Sequence, residues 1–328
     1  MNRIDLTSRY LGLSLHNPLL VGSSPLTENL DTVKLFEDYG AGAVVLPSLY
    51  EEEITGEQLS DFFSSEMYGD SFPEASSYLP DPDSAPGPDE YLEHLRRVKQ
   101  TVSIPVIASV NGSTPGGWVS HARLMEQAGA DAIELHLYHA ASDPAFNSAE
   151  VESQMLQVLQ QVKGELGIPV AVKLSPLFTA FANFALQLDA AGADAIVLFT
   201  RFHKIDFDVI ELEVLRRVEL SSSADLDLRL RGTAVLSGRI KASLGITGGV
   251  HTALDVIKST MAGAHAVQLV SALMRHGPRY LQTLRTELEA WMIANEWSSL
   301  TEMRGNMSFQ KIPNPAVYER ETFRGMFQ

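Results

Sequence analysis

The chain is expected to fold as an α/β protein of the (β/α)8 type, a TIM barrel, and three features of its 328 residues predict it. Short apolar runs alternate with longer amphipathic stretches along most of the length, the pattern of strands each followed by a helix. A glycine–alanine phrase recurs just before strands, at Gly40-Ala41-Gly42-Ala43, Ala128-Gly129-Ala130-Asp131, Ala191-Gly192-Ala193-Asp194 and Ala262-Gly263-Ala264-His265. Glycine ends a helix in a left-handed cap and alanine lets the next strand begin close by. Polar residues gather at the C-terminal ends of the apolar runs, where barrels hold ligands. A doubly wound sheet is the runner-up.

The first strand is read at Asn17 to Ser24 and its helix at Thr27 to Tyr39. The second strand, Ala43 to Pro47, precedes an insertion at about 48–88, polar, acidic and aromatic, whose length suits a lid or binding loop rather than a plain connection. A helix at Asp89 to Val102 resumes the rhythm. Strand 3 is Pro105 to Val110 with a helix at Trp118 to Ala128, and strand 4 is Asp131 to Leu137 with a helix at Ser148 to Leu166. Strand 5 is Val170 to Leu174 with a helix at Thr179 to Ala191. Strand 6, Asp194 to Phe199, leads into an irregular region and a helix around Ala234 to Arg239. Strand 7 is Lys241 to Ile246 with a helix at Thr252 to Met261, and strand 8 is Ala266 to Val270 with a helix at Pro278 to Asn295. The barrel thus takes residues 1–297, and residues 298–328, with Pro313 and Pro315, form a C-terminal tail that wraps the body or a neighbouring subunit.

Composition narrows the function. The formal charge is −16, without a cluster of lysine and arginine, so nucleic acid and anionic membrane are repelled rather than steered in. The absence of cysteine removes disulfides, a thiolate nucleophile and Cys-ligated zinc or iron–sulfur centres from this chain, and no metal site is expected. Neither a signal peptide at Met1 to Leu6 nor an apolar run of membrane-spanning length is found, so a soluble cytoplasmic protein is expected.

Side-chain alternation orients the strand ends. In strand 4, Ile133, Leu135 and Leu137 face the helices, leaving Glu134, His136 and Tyr138 inward; in strand 5, Lys173 points inward between Val172 and Leu174. Ser109 and Asn111 point in from strand 3 and Gln268 from strand 8. A lysine, two amides, a histidine and a tyrosine converge on one mouth. Each polar residue could simply complete an interior layer, but an inward lysine must find an anion, a carbonyl or a ligand. Strand 7 ends in Thr247-Gly248-Gly249-Val250 and strand 8 in Val270-Ser271-Ala272-Leu273, small residues whose backbone N–H groups suit a phosphate; a tight turn without ligand is the alternative.

These residues resemble a known family. The segments Leu11-Gly12-Leu13, Asn17 to Thr27, Val172-Lys173-Leu174-Ser175-Pro176, Ile246 to Val250, Ala262-Gly263-Ala264, Val267 to Leu273 and Gly277-Pro278 look like those of the dihydroorotate dehydrogenases, over about Leu6 to Asn295. The resemblance implies an FMN-binding barrel that oxidises dihydroorotate to orotate in pyrimidine biosynthesis. It implies that Gly22, Ser23 and Ser24 lie against the flavin ring, that Lys173 contacts it, that Asn111 faces it, and that Gly248, Gly249, Ser271 and Ala272 cradle its phosphate. A lysine beside the pyrimidine edge stabilises negative charge on the reduced ring.

The chain departs from the family at the substrate end. Glu134-Leu135-His136-Leu137-Tyr138-His139-Ala140 stands where the family carries an asparagine, a serine, then a cysteine or serine base and a proline; His136 takes the asparagine position and the base falls on Tyr138 or His139. The lysine after strand 2 is replaced, by this reading, with Pro47, and strand 6 ends in Phe199-Thr200-Arg201 without the expected asparagine. His136 and Thr200 are the expected substrate contacts. Three readings follow: an FMN oxidoreductase acting on the CH–CH bond of dihydroorotate or a similar molecule, with His139 or Tyr138 taking the proton; a flavin-binding relative without orotate activity; and a Schiff-base lyase or aldolase using Lys173 as amine beside a phosphate. A homodimer is expected by analogy.

Overall fold

The computed structural model describes residues 4–55, 87–112, 116, 119–137, 143–200, 204–217 and 219–319. Strands β3 (Leu19–Val21), β4 (Ala43–Tyr50), β5 (Val106–Asn111), β6 (Ala132–Leu137), β7 (Val170–Leu174), β8 (Ala195–Leu198), β11 (Ser243–Thr247) and β12 (Ala266–Leu269) pair in parallel and close into a barrel in the order β11-β12-β3-β4-β5-β6-β7-β8. The expected (β/α)8 architecture is therefore present. Helices Leu30–Asp38, Pro88–Thr101, Val119–Gln127, Ser148–Glu165, Phe181–Ala190, Asp227–Leu236, Ala253–Ala262 and Tyr280–Ala294 follow the strands. Among the described residues no helix is long and apolar enough to cross a membrane.

Two apolar layers result from the alternation of side chains along each strand. Leu19, Val44, Val106, Ile133, Val172, Ile196, Ile246 and Val267 face the helices in the larger core. The barrel interior is lined instead by Leu20, Ala43, Val45, Ile107, Ala132, Ala171, Ala195, Val197 and Ala266. Five alanines leave a hollow at the N-terminal end, and a hairpin of β1 (Ser8–Tyr10) and β2 (Leu13–Leu15) fills it with Tyr10, Leu11 and Leu15. Burying each such side chain contributes about 1.5–3 kcal/mol.

The recurring glycines behave as the phrase predicts. Gly40, Gly129, Gly192 and Gly263 have φ of +93°, +103°, +95° and +125°, turning the chain from helix to strand. The aspartate after two of them adds a second tie: Asp131 accepts from Val106 N–H (2.7 Å) and Lys99 (2.6 Å), and Asp194 from Val170 N–H (2.8 Å) and Lys163 (2.7 Å).

Three boundaries differ from expectation for physical reasons. The second strand runs to Tyr50, not Pro47, with a register shift between Val45 and Ser48, so Pro47 is the extra residue of a bulge and Ser48 faces inward. The helix read at Ala234 to Arg239 is Asp227–Leu236; its buried face includes Arg229, Gly232 and Thr233, so apolar periodicity does not reveal it. The irregular region before it holds an antiparallel ribbon, β9 (Lys204–Asp208) with β10 (Glu213–Arg217). The start of the tail packs on this chain's own body: Ser299 bridges to Asp5, Leu300 and Met303 are fully buried, and Arg304 donates to Ala264 O (3.1 Å) and Ser8 Oγ (2.8 Å).

Candidate active site

The C-terminal mouth of the barrel is built by three neighbouring strands in register. Ser109, Glu134 and Ala171 stand side by side on β5, β6 and β7, and one step nearer the mouth come Asn111, His136 and Lys173. Parallel pairing without a slip keeps all of them on the face that alternation assigned to the interior. Glu134 is 1% exposed and Lys173 8%, and their charges meet: Lys173 Nζ donates to Glu134 Oε1 at 3.0 Å. Gln268, on the opposite side of the barrel, donates its amide to Glu134 Oε2. The carboxylate thereby uses both oxygens, as a buried charge must.

Burial, and then the Lys173 ammonium, push the His136 imidazole down to about 3, so it stays neutral at ordinary pH and can exchange hydrogen bonds without carrying charge. Asn111 lies beside Tyr50, whose phenol it bonds. Ser23 and Ser48 hydroxyls meet at 3.2 Å and Ser48 continues to Ser109 at 2.7 Å, a hydroxyl chain across β3, β4 and β5. Ser24 donates to Gly22 O (3.0 Å). Thr200 is buried at the end of β8, its N–H on Leu174 O at 2.8 Å, which holds it next to the Lys173 strand.

The glycines and small residues of β11 and β12 come together at the same mouth. Gly248 and Gly249 have φ of +78° and +81°, and a Cβ on Gly249 would stand 2.6 Å from Leu226 N. Ser271 opens the short helix Ser271–His276, and its Oγ accepts the Ser221 N–H at 3.0 Å. Ala272 packs its methyl into the outer core, so only its backbone is available to a ligand. Ser221 Oγ in turn takes the Gly249 N–H (3.3 Å) and meets His251 Nε2 (2.9 Å). Arg229 fastens this end by donating to Phe199 O (3.0 Å), Asp225 O (2.6 Å) and Thr247 O, tying β8 to β11.

Of the residues singled out from sequence, Gly22, Ser23, Ser24, Asn111, His136, Lys173, Thr200, Gly248, Gly249, Ser271 and Ala272 are brought to one end of the barrel. Tyr138 and His139 lie outside the described residues. Sequence reasoning missed Ser48, Ser221, His251 and Arg229. A bulge hid the first, and the others sit in or against a region whose pattern is irregular; only the buried-face composition of Asp227–Leu236 could have pointed to Arg229.

The residues suit a planar, phosphate-bearing cofactor. A Cβ on Gly22, just past β3, would meet Val270 Cγ2 at 2.8 Å and have to push that side chain aside, and Gln268 Oε1 beside it is a buried acceptor with no partner among the described residues. A buried carbonyl of this kind calls for a donor that a ligand can bring. The crevice of about 700 Å³ at the other end of the barrel is of a different nature. Its carboxylates are occupied by turns: Asp194 as described, and Asp189 by the Lys241 and Ala242 N–H groups.

Comparison with known proteins agrees with this geometry. The family model for dihydroorotate dehydrogenase matches residues 6–292. The chain is 29% identical over 312 residues to the dihydroorotate dehydrogenase B (NAD(+)) catalytic subunit of Thermoplasma acidophilum, covering 92% of this chain and 98% of that one. It is 28% identical to the corresponding protein of Thermoplasma volcanium, with the same coverage, and 30% identical to that of Methanothermobacter thermautotrophicus over 68% of this chain and 74% of the other. With the family model matched over residues 6–292, this chain belongs to the dihydroorotate dehydrogenase family.

Proposed function

We propose that the protein is an FMN-dependent oxidoreductase that oxidises the CH–CH bond of dihydroorotate or a close cyclic analogue, within residues 1–297. The observation that carries the reading is the Lys173–Glu134–Gln268 bridge buried beneath a mouth whose other side is formed by Gly22, Gly248 and Gly249. FMN, when bound, accepts the hydride. Gly22, Ser23, Ser24, Asn111 and Lys173 would hold its ring, and Gly248, Gly249, Ser271 and Ala272 its phosphate. His136, neutral, and Thr200 orient the substrate, and His139 or Tyr138 takes the proton from the carbon next to the one that loses hydride. The Schiff-base alternative fits poorly, because the Lys173 Nζ it needs as a free nucleophile is taken up by the buried carboxylate of Glu134 at 3.0 Å.

The relatives' names describe catalytic subunits linked to NAD(+), and they support a cytoplasmic enzyme that passes electrons onward. A homodimer is supported by the β9–β10 ribbon, where Ile205, Phe207, Val209, Ile210, Leu212 and Val214 are 62–86% exposed. Phe207 and Val214 face each other across the strands. Covering all six would bury roughly 800 Å² per copy, the size of an ordinary stable interface.

The test is the absorption spectrum of the purified protein, followed by anaerobic addition of dihydroorotate. A flavin spectrum that bleaches is expected. Loss of bleaching in His139→Ala with retention in Tyr138→Phe assigns the base to His139, and the reverse assigns Tyr138. A flavin spectrum that dihydroorotate leaves unchanged removes the named substrate, and a colourless protein that takes up no FMN removes the flavin.

A further inference from the structure

We infer that Glu134 is a positioning residue that acts through Lys173: it places the ammonium at the mouth and cancels part of its charge, and so sets how strongly the site favours reduced flavin. The inference rests on the flavin reading above. Glu134 lies one step below the mouth, 1% exposed, and each oxygen has its own partner, Lys173 Nζ at 3.0 Å from β7 and the Gln268 amide from β12. Strands β6 and β12 are four positions apart in an eight-membered ring, so the carboxylate is held across the full diameter.

Among the described residues, the groups around it supply no second cation. Ser109 faces it from β5 and bonds Ser48; Val45 and Val197 line the interior from β4 and β8; and Tyr10 closes the hollow from below. The charge is felt nonetheless. Burial first, and then Glu134, raise the phenols of Tyr10 and Tyr91. Burial and then Lys173 lower His136 above it. The site therefore reads as one buried ion pair whose positive end is nearer the mouth. In such surroundings an unpaired charge acts at greater strength than a paired one, because little water screens it.

Lys173 then stabilises negative charge on a reduced ring only by the part of its charge that Glu134 leaves. Removing the carboxylate charge while keeping the shape should strengthen that effect. Glu134→Gln is expected to raise the reduction potential of the bound flavin, with the reduced-to-oxidised ratio at a fixed ambient potential rising roughly tenfold, about 30 mV for a two-electron couple. The measurement is an anaerobic spectroscopic titration against a reference dye, on wild type, E134Q, K173M and E134Q/K173M, each loaded with FMN. The cycle decides whether Glu134 works through the lysine: the carboxylate's own field shifts the potential on either background, so its placement of the ammonium is the part of the E134Q shift that K173M abolishes, and the shift should be clearly smaller on the K173M background. An equal shift with and without Lys173, or no shift in E134Q, overturns the inference while the flavin reading stands. Wild-type protein that binds no FMN overturns both. Glu134→Asp, which keeps the charge but draws it back by one methylene, serves if E134Q does not accumulate: its shift should be positive and smaller, and should shrink on the K173M background.

Discussion

Gly249→Ala tests whether the end of β11 is shaped for a ligand or is only a turn. Two terms oppose the alanine. The left-handed φ of +81° costs a residue with a Cβ about 1–2 kcal/mol. The new methyl would stand 2.6 Å from Leu226 N and 2.8 Å from Asp225 C, and because these are backbone atoms the loop must shift, which adds about 1–3 kcal/mol. Gly12→Ala, in the turn of the β1–β2 hairpin at the far end of the barrel, provides the control, since its φ is +73° and nothing lies within 4 Å of the added carbon. Any gain from stiffening the unfolded chain, about 0.4–1 kcal/mol, is common to both and cancels. The difference, about 1–3 kcal/mol, is the steric term alone. With an unfolding entropy of about 2.1 cal/mol/K per residue, a chain of 328 residues loses about 1–4 °C of Tm for it. The assay is thermal and urea unfolding of both variants, together with FMN titration followed by quenching of flavin fluorescence. Gly249→Ala should be the less stable and bind FMN more weakly, because displacing Asp225 and Leu226 moves the Ser221 hydroxyl and the Arg229 anchor. Equal stability and equal FMN affinity in the two variants would refute the reasoning.

Further predictions follow from the same contacts. His136 and His265 are held near 3 and 4, below their ordinary value, by burial first and then by Lys173 and Arg304, so the unfolded chain binds protons that the folded one refuses. Stability is therefore full above about pH 6.5 and falls as the pH drops toward those values; His136→Asn should flatten that fall by about 1–2 kcal/mol between pH 6.5 and 5, read from urea midpoints. Arg229→Ala leaves the Phe199, Asp225 and Thr247 carbonyls short of a donor and should cost about 3–5 kcal/mol, with FMN release before global unfolding on heating. Leu212→Asp together with Phe207→Asp should convert a dimer to monomer in sedimentation velocity with little change in FMN binding; an unaltered dimer would remove the ribbon from the interface.

Much of the barrel is legible in the sequence because its rules are local. A period of two assigns Glu134, His136, Lys173, Ser109, Asn111 and Gln268 to the interior, and the closed sheet puts them there without a slip. Glycine before a strand needs only its own φ, so Gly40, Gly129, Gly192 and Gly263 could be recognised one at a time. What local pattern cannot carry is distance across the barrel. That Lys173 finds its anion in Glu134, and that Gln268 reaches the same carboxylate from the far wall, depends on closure of eight strands around a narrow interior. The bulge that replaces Pro47 with Ser48 at the mouth is likewise decided by the pairing of β4 with β5, since one inserted residue reverses every side chain beyond it. Ser221, His251 and Arg229 join the glycine-ended strands through contacts 18 to 50 residues apart in sequence, which no window of periodicity spans. The sequence alone determined which side chains face inward, because that is a property of each strand; the tertiary structure decided which of them meet, because that is a property of the ring.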